Sequence, residues 1–327
     1  MKIHIMLNLV LKKISQKILS NQNKLKNNLF IKINNNRNKL ILLDIGGAGG
    51  LGEKWQIFEN NIQTIFIEPD KRSALELINK GFEVIEKVFW SEEKNIELKL
   101  TKKFETSSVF IPNREYLDFF SESERYNIVN KTNHIATTLD NQIKSDQQPD
   151  FIKIDIQGAE LNVLKGGTNT LEKVLGLEVE VNFKQIYKEI PLASDVEKFL
   201  NKHGFILNDY LTLFRWERNN YRGFGEIVHA DALFIKSPEK IIEISKKYKE
   251  PIEIFEKYTK ILFIYKKIDL LIKFGEYISE EQRQALNLSK LIRNLQKHYN
   301  KLVFFEKYIS YLTRYIISKD VYIHWKL

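Results

Sequence analysis

The chain has no cysteine in its 327 residues. Disulfides, thiolate zinc sites and cysteine nucleophiles are therefore excluded, and a cytoplasmic setting fits. No stretch reaches the roughly 18 apolar residues of a membrane-spanning helix. The opening segment, Met1–Ser20, has an apolar run from Ile3 to Leu11 that is broken by Lys12 and Lys13. It lacks a small-residue cleavage site, and its positive charge follows the apolar part, so it is a poor signal peptide. A short basic amphipathic helix, packed on its own domain or lying on a membrane surface, fits it better. Arginine is scarce beside lysine, although the net charge is +9. Nucleic-acid binding needs charge gathered on one face with arginine or aromatic contacts to bases. Here the lysines are scattered among Asn, Ile and Glu, so no nucleic-acid partner is expected. Weak attraction to anionic membrane surfaces or glycans is the contact this charge leaves open.

What is present begins at Leu40-Ile41-Leu42-Leu43-Asp44-Ile45-Gly46-Gly47-Ala48-Gly49-Gly50. Four apolar residues lead into an acid, a glycine cluster and the helix-like Leu51–Asn60. That pattern reads as a buried parallel strand, a tight turn and a helix start. Glycines there let a ligand approach bare peptide groups. A second apolar strand, Thr64-Ile65-Phe66-Ile67, ends in Glu68, where a carboxylate can accept hydrogen bonds from two ribose hydroxyls. A nucleotide-type cofactor follows, and its identity stays open at this segment. Gly47-x-Gly49-x-x-Gly52 matches the dinucleotide fingerprint of nicotinamide dehydrogenases. In another frame, Asp44-x-Gly46-x-Ala48-x-Gly50 resembles the loop of class I methyltransferases, with alanine in place of the middle glycine. Asp44 favours the second frame, because an acid beside a pyrophosphate repels it.

Strand and helix patterns alternate from residue 40 to residue 236. Strands are expected at Leu40–Ile45, Thr64–Glu68, Phe82–Ile85, Phe151–Asp155 and Leu175–Val181. Helices are expected at Ser73–Gly81, Glu160–Lys165 and Asp195–His203. Phe89–Trp90 and Ile96-x-Leu98-x-Leu100 read as an antiparallel addition, Arg114–Ser123 as an exposed helix, and Ile135–Leu139 as extended chain. Phe205–Phe214 and Glu226–Lys236 close the pattern as a strand pair. The alternation argues for a doubly wound α/β sheet. After Pro238 it stops, and Ile252–Phe274, Ser279–Tyr299 and Lys301–Ser318 read as helices, the second opening on a capping box at Ser279–Gln282. Tyr308, Tyr311 and Tyr315 share one face of the last and read as a core-facing stripe. The expected division is 1–39 as an N-terminal helix and linker, 40–236 as the cofactor-binding domain, and 237–327 as a helical appendage.

Asp44, Glu68 and Asp155 all fall at carboxyl ends of expected strands, so three distant acids converge on one crevice, with Glu180 a weaker fourth. Here a resemblance becomes specific. Phe151-Ile152-Lys153-Ile154-Asp155-Ile156-Gln157-Gly158-Ala159-Glu160, followed by Val163-Leu164-Lys165-Gly166, resembles the signature of the FkbM-type methyltransferases. Ile67-Glu68-Pro69-Asp70, Thr138-Leu139-Asp140, Glu178–Phe183 and His229-Ala230-Asp231-Ala232 are similar to further motifs of that family. The likeness spans about residues 40–236. Ala48 stands where the family often has asparagine, and Gln157 where it often has glutamate, so no carboxylate at 157 can act as a base.

The resemblance implies a class I, Rossmann-like methyltransferase fold, mostly parallel with a C-terminal antiparallel strand pair, and S-adenosylmethionine as cofactor. It implies that Asp44, Gly46, Gly47, Ala48, Gly50, Glu68 and Asp155 hold that cofactor. The expected activity is O-methylation of a hydroxyl on a sugar, glycan or glycolipid. A dehydrogenase and a non-catalytic binding module of the same fold are the alternatives. A hydroxyl acceptor must lose a proton, and Asp155 is the first candidate to take it; holding the methionine ammonium is its rival role. Glu160 and His229 are further catalytic candidates, with His134 considered as a base and His229 with Asp231 as a pair on one strand face. Ser107-Ser108 resembles a serine pair of the family. The spacing of the acids and His229 demands no metal, and none is assigned.

Overall fold

The computed structural model describes residues 38–300, apart from positions 48, 57, 219–224, 295, 298 and 299. Among the described residues ten strands run in chain order: β1 (Leu40–Ile45), β2 (Ile62–Ile67), β3 (Glu83–Ile85), β4 (Val88–Phe89), β5 (Lys94–Thr101), β6 (Ile128–Thr137), β7 (Phe151–Ile154), β8 (Gly176–Asn182), β9 (Phe205–Trp216) and β10 (Glu226–Lys236). Seven form one sheet in the order β3-β2-β1-β7-β8-β10-β9. Its pairs are parallel from β3 through β8, and β10 runs antiparallel to both β8 and β9. The doubly wound sheet with a C-terminal antiparallel pair is thus present. β4, β6 and β5 make a separate three-stranded sheet.

The central strands are apolar runs because both faces are covered. Leu42, Leu43, Ile65, Phe66, Ile152, Ile154, Leu177 and Val179 are all fully buried. Helix Glu160–Lys165 buries Leu161, Val163 and Leu164 against this core, and helix Ala193–Lys202 buries Val196 and Leu200. The Thr138-Leu139-Asp140 element is structural. Thr138 caps its own helical turn, and Asp140 accepts the N–H groups of Asn169 and Thr170 at 3.0 and 2.8 Å.

Several expected elements differ. The exposed helix Arg114–Ser123 shortens to Arg114–Leu117, because Leu117 and Phe120 turn into the interior and end it. The extended piece read from Ile135 begins earlier, at Ile128, where it pairs with β5. The single helix Ile252–Phe274 divides into Ile252–Ile264 and Ile268–Tyr277, with Lys266 at φ +58° between them. The capping box at Ser279 forms in both directions. Met1–Ser20, Lys301–Ser318 and the stripe Tyr308, Tyr311 and Tyr315 lie outside the described residues.

Packing divides the chain at Tyr265, and the unit that carries the sheet runs from Arg37 to Ile264. Helices Pro238–Ser245 and Ile252–Ile264 therefore belong with the sheet, although the sequence pattern changes at residue 237. The Tyr258 hydroxyl donates to the Lys236 carbonyl at 2.8 Å, Lys260 Nζ to the Asn38 carbonyl at 2.9 Å, and Phe263 meets Phe58 edge to face. The other unit, by itself, contains helices Ile268–Tyr277 and Glu280–Ala285, tied by Arg283 Nη1 donating to the Gly275 carbonyl. Among the described residues no helix is long and apolar enough to cross a membrane.

Candidate active site

β2 lies on one side of β1 and β7 on the other, so the chain reverses direction across the sheet at β1. A crevice beyond the carboxyl ends of the strands opens at such a point. Gly46 is at φ +86°, and a Cβ there would lie 2.1 Å from the Asp155 carbonyl oxygen. Only glycine lets the loop after β1 touch the loop after β7. Gly47 follows against the Phe66 ring and the Asp44 carboxyl, and Gly50 donates its N–H to the Gly47 carbonyl at 2.9 Å. The loop is a bare-backbone cradle, with open space within 4 Å of Gly49. Ala48 lies outside the described residues.

Glu68 follows β2, is 5% exposed, and its Oε1 accepts the Asp70 N–H at 2.8 Å. Burial pushes its pKa up to about 7. A desolvated carboxyl with acceptor capacity left over fits the diol of a ribose. Asp44 is buried within β1, and burial lifts its pKa to about 6. Opposing that lift, Lys153 Nζ donates to Asp44 Oδ1 at 3.4 Å from the register-matched position of β7. Burial works against the Lys153 charge, but Asp44, Asp155 and Glu178 outweigh it and hold its pKa up. In the sequence Lys153 is the one polar residue of Phe151–Ile154 and carries no local signal of this pairing.

Asp155 follows β7, half-buried, with carboxyl oxygens of Glu160 and Glu180 so placed that all three groups offer an atom within 4.8 Å of one another. Glu160 is 3% exposed, and its Oε1 accepts the N–H groups of Ile156 and Gly158 at 2.8 and 3.1 Å. That suits a residue that holds the loop better than one that meets an acceptor. Burial raises its pKa to about 7. Burial, with Asp155 and Glu160 nearby, pushes Glu180 well above the carboxylate range. The three groups could collect a cation, or share protons among themselves.

Gln157 stitches this cluster together. Its Nε2 donates to Asp155 Oδ1 at 3.1 Å and to Glu180 Oε2 at 3.3 Å, and Tyr187 Oη lies 3.0 Å from its Oε1. Gln157 is held at φ +58°, a conformation costly for a residue with a side chain. Ser108 Oγ, 2% exposed as a residue, donates to the Gln157 carbonyl at 2.7 Å. An amide here gives the crowded carboxyls a donor, where glutamate would add a fourth carboxyl. Gly158 continues the turn at φ +101°, its missing Cβ leaving room for Ile190.

His229 lies against Glu180, where the same-face spacing had made Asp231 a possible partner. In the antiparallel β8–β10 register Asn182 is opposite His229, and Glu180 is the diagonal neighbour. His229 Nδ1 lies 2.7 Å from Glu180 Oε1, without the alignment of a hydrogen bond. Burial lowers its pKa to about 4, so it faces Glu180 as a neutral ring. It stacks on Phe214 with ring centres 4.3 Å apart. His134 is on β6 of the separate three-stranded sheet, hydrogen-bonded to Thr132.

A glycine cradle, a buried acid after β2 and a carboxyl cluster lie at the reversal of a seven-stranded sheet, an arrangement that suits a class I, Rossmann-like methyltransferase. The pattern of the FkbM methyltransferase domain matches residues 12–207, more than half of the chain, and the chain belongs to that family. Its cofactor is S-adenosylmethionine, and the dehydrogenase reading of the glycine loop falls away. No curated protein matches it in sequence. Magnesium protoporphyrin IX methyltransferase from Synechocystis PCC 6803, solved with bound S-adenosylmethionine, is similar at 12% identity, over 67% of this chain and 81% of that one, with a TM-score of 0.32. A putative tRNA (m1A22) methyltransferase from Streptococcus pneumoniae is 14% identical over 80% and 93%, with a TM-score of 0.33. Precorrin-6y C5,15-methyltransferase from Geobacter metallireducens GS-15 is 12% identical over 64% and 87%, with a TM-score of 0.32.

Proposed function

We propose that this methyltransferase acts on oxygen, with a hydroxyl of a sugar, glycan or glycolipid as acceptor. The observation that carries the reading is Asp155, the most exposed member of a carboxyl trio whose other two members are buried. S-adenosylmethionine supplies a methyl group on a sulfonium centre, and an alcohol attacking it must lose its proton. In this reading Asp155 takes that proton, and Gln157 fixes one of its oxygens. Glu160 holds the loop behind it, and Glu180 with His229 forms the buried wall beside it. Glu68, Asp44 and the Gly46–Gly50 backbone would hold the cofactor. Holding donor and acceptor in line supplies much of the remaining acceleration. Transfer of radiolabelled methyl from S-adenosylmethionine to a panel of saccharides, amines and thiols tests this. Label in a base-stable ether on saccharides is expected; label on nitrogen or sulfur only would sink the oxygen assignment.

A further inference from the structure

Lys153 is the one charged residue of β7, a strand with β1 on one side and β8 on the other. Its register partners are Asp44 on β1 and Glu178 on β8, and residues opposite one another share a face of the sheet. Both partners are covered. Gly47 lies over Asp44, since a Cβ there would stand 2.8 Å from the Asp44 carboxyl carbon. Lys54, on the short helix Glu53–Gln56 after the glycine loop, reaches Glu178 Oε2 at 2.5 Å. Lys153, between them, keeps 26% of its side chain exposed, against 2% for Asp44 and 6% for Glu178. In a strand flanked on both sides that exposure needs an opening on this face, next to the glycine loop that covers Asp44.

An ammonium has three N–H donors and no acceptor. Among the described residues Lys153 Nζ has one hydrogen-bond acceptor, Asp44 Oδ1, at a long 3.4 Å. Burial works against its charge, yet Asp44, Asp155 and Glu178 keep it protonated. Glu178 is engaged by Lys54, so Lys153 has donors left for a ligand that enters the crevice. S-adenosylmethionine has one anionic group, the carboxylate of its methionine end, with an ammonium on the same carbon. A wall on which a reachable cation stands between acids matches such a zwitterion, because it offers donors to the carboxylate and acceptors to the ammonium.

We propose that Lys153 is a cofactor-binding residue whose ammonium holds the methionine carboxylate of S-adenosylmethionine, with Asp44 fixing the lysine from beneath. The assignment rests on the cofactor lying at the glycine loop. It holds whichever atom accepts the methyl group, so it does not depend on the oxygen reading above.

Titration calorimetry on the full chain, with S-adenosylmethionine and its decarboxylated form, tests the proposal. The second ligand keeps the sulfonium and the ammonium and lacks only the carboxylate. Wild type should bind S-adenosylmethionine roughly tenfold or more tightly than the decarboxylated form, the worth of one charge-assisted hydrogen bond. Lys153→Met should bring the two ligands within about twofold, by weakening S-adenosylmethionine and leaving the decarboxylated form near its wild-type affinity. That variant leaves Asp44 buried without its cation. The double variant Lys153→Met with Asp44→Asn removes the pair together and serves where the single one does not fold. Asp44→Asn alone should keep the preference. No preference in wild type would overturn the assignment. So would a preference that survives the loss of Lys153, including one in which both ligands weaken equally, which would show that the lysine acts only through Asp44. Failure of both ligands to bind wild type would instead strike the cofactor's place at the glycine loop, so the two failures are distinguishable.

Discussion

Asp155→Asn keeps size and the contact with Gln157 but cannot take a proton. Turnover at saturating cofactor should fall by roughly 10²–10⁴, the span of general-base catalysis, while cofactor affinity changes little. Weakened binding by about 1.5–3 kcal/mol, with turnover kept, would move Asp155 to the methionine ammonium. Glu68 allows a separate test through pH. Its pKa rises from an ordinary 4.5 to about 7 in the fold. The folded state then holds a proton that the unfolded state loses between those values, so stability falls as pH rises through that window and levels off above it. Glu68→Gln removes the ionisation. Its gain over wild type without cofactor should be near zero at pH 4.5 and reach up to roughly 3 kcal/mol at pH 8. A gain independent of pH, read from melting curves, would show that Glu68 is not desolvated. The same variant should bind S-adenosylmethionine roughly tenfold more weakly, the worth of one charged hydrogen bond.

Between elements, the contact that shapes the crevice is the one between the loops after β1 and β7. Gly46→Ala would put a methyl carbon 2.1 Å from a backbone oxygen at a φ of +86°. Neither strain relaxes by a side-chain rotation. We expect a fall in melting temperature of more than about 5 °C, corresponding to roughly 2 kcal/mol in a unit of this size, and loss of cofactor binding. A variant as stable as wild type would mean that the loops can part. The sequence made this crevice legible because strand ends carry short, local signals: apolar runs, then Asp44 with glycine, Glu68, and Asp155 before Gly158. It could not show the cross-strand partners. Lys153 against Asp44, and Glu180 against His229, depend on register across the sheet, which a single chain does not print. The β6 start and the break at Lys266 were lost for a related reason, since long-range pairing and one left-handed residue overrode local periodicity. Glu160 reads as catalytic from its place in the signature, whereas its two backbone hydrogen bonds, invisible in the sequence, suit a loop support.

At the scale of the whole molecule, the change of sequence pattern at residue 237 and the change of packing at Tyr265 fall in different places, and the difference can be tested by truncation. A chain ending at Ser237 loses helix Ile252–Ile264. With it go the Tyr258 bond to the Lys236 carbonyl, the Lys260 bond to the Asn38 carbonyl, and the Lys257 pair with Asp150 at 3.2 Å. Phe263 also leaves Phe58. Asp150 accepts the Ile41 N–H at the start of β1 as well, so the loss reaches the strand that carries the glycine loop. Burying one such aromatic is worth about 1.5–3 kcal/mol, and two are lost together with three polar contacts. Against a total stability of about 5–15 kcal/mol, that is enough to unfold the unit. Residues 37–264 keep all of these contacts. We therefore expect the 37–264 fragment to melt cooperatively and to bind S-adenosylmethionine within a few-fold of the full chain. The 37–237 fragment should be unfolded by circular dichroism and bind nothing. A folded, cofactor-binding 37–237 fragment would return the boundary to residue 237, and an unfolded 37–264 fragment would show that the sheet unit depends on the rest of the chain.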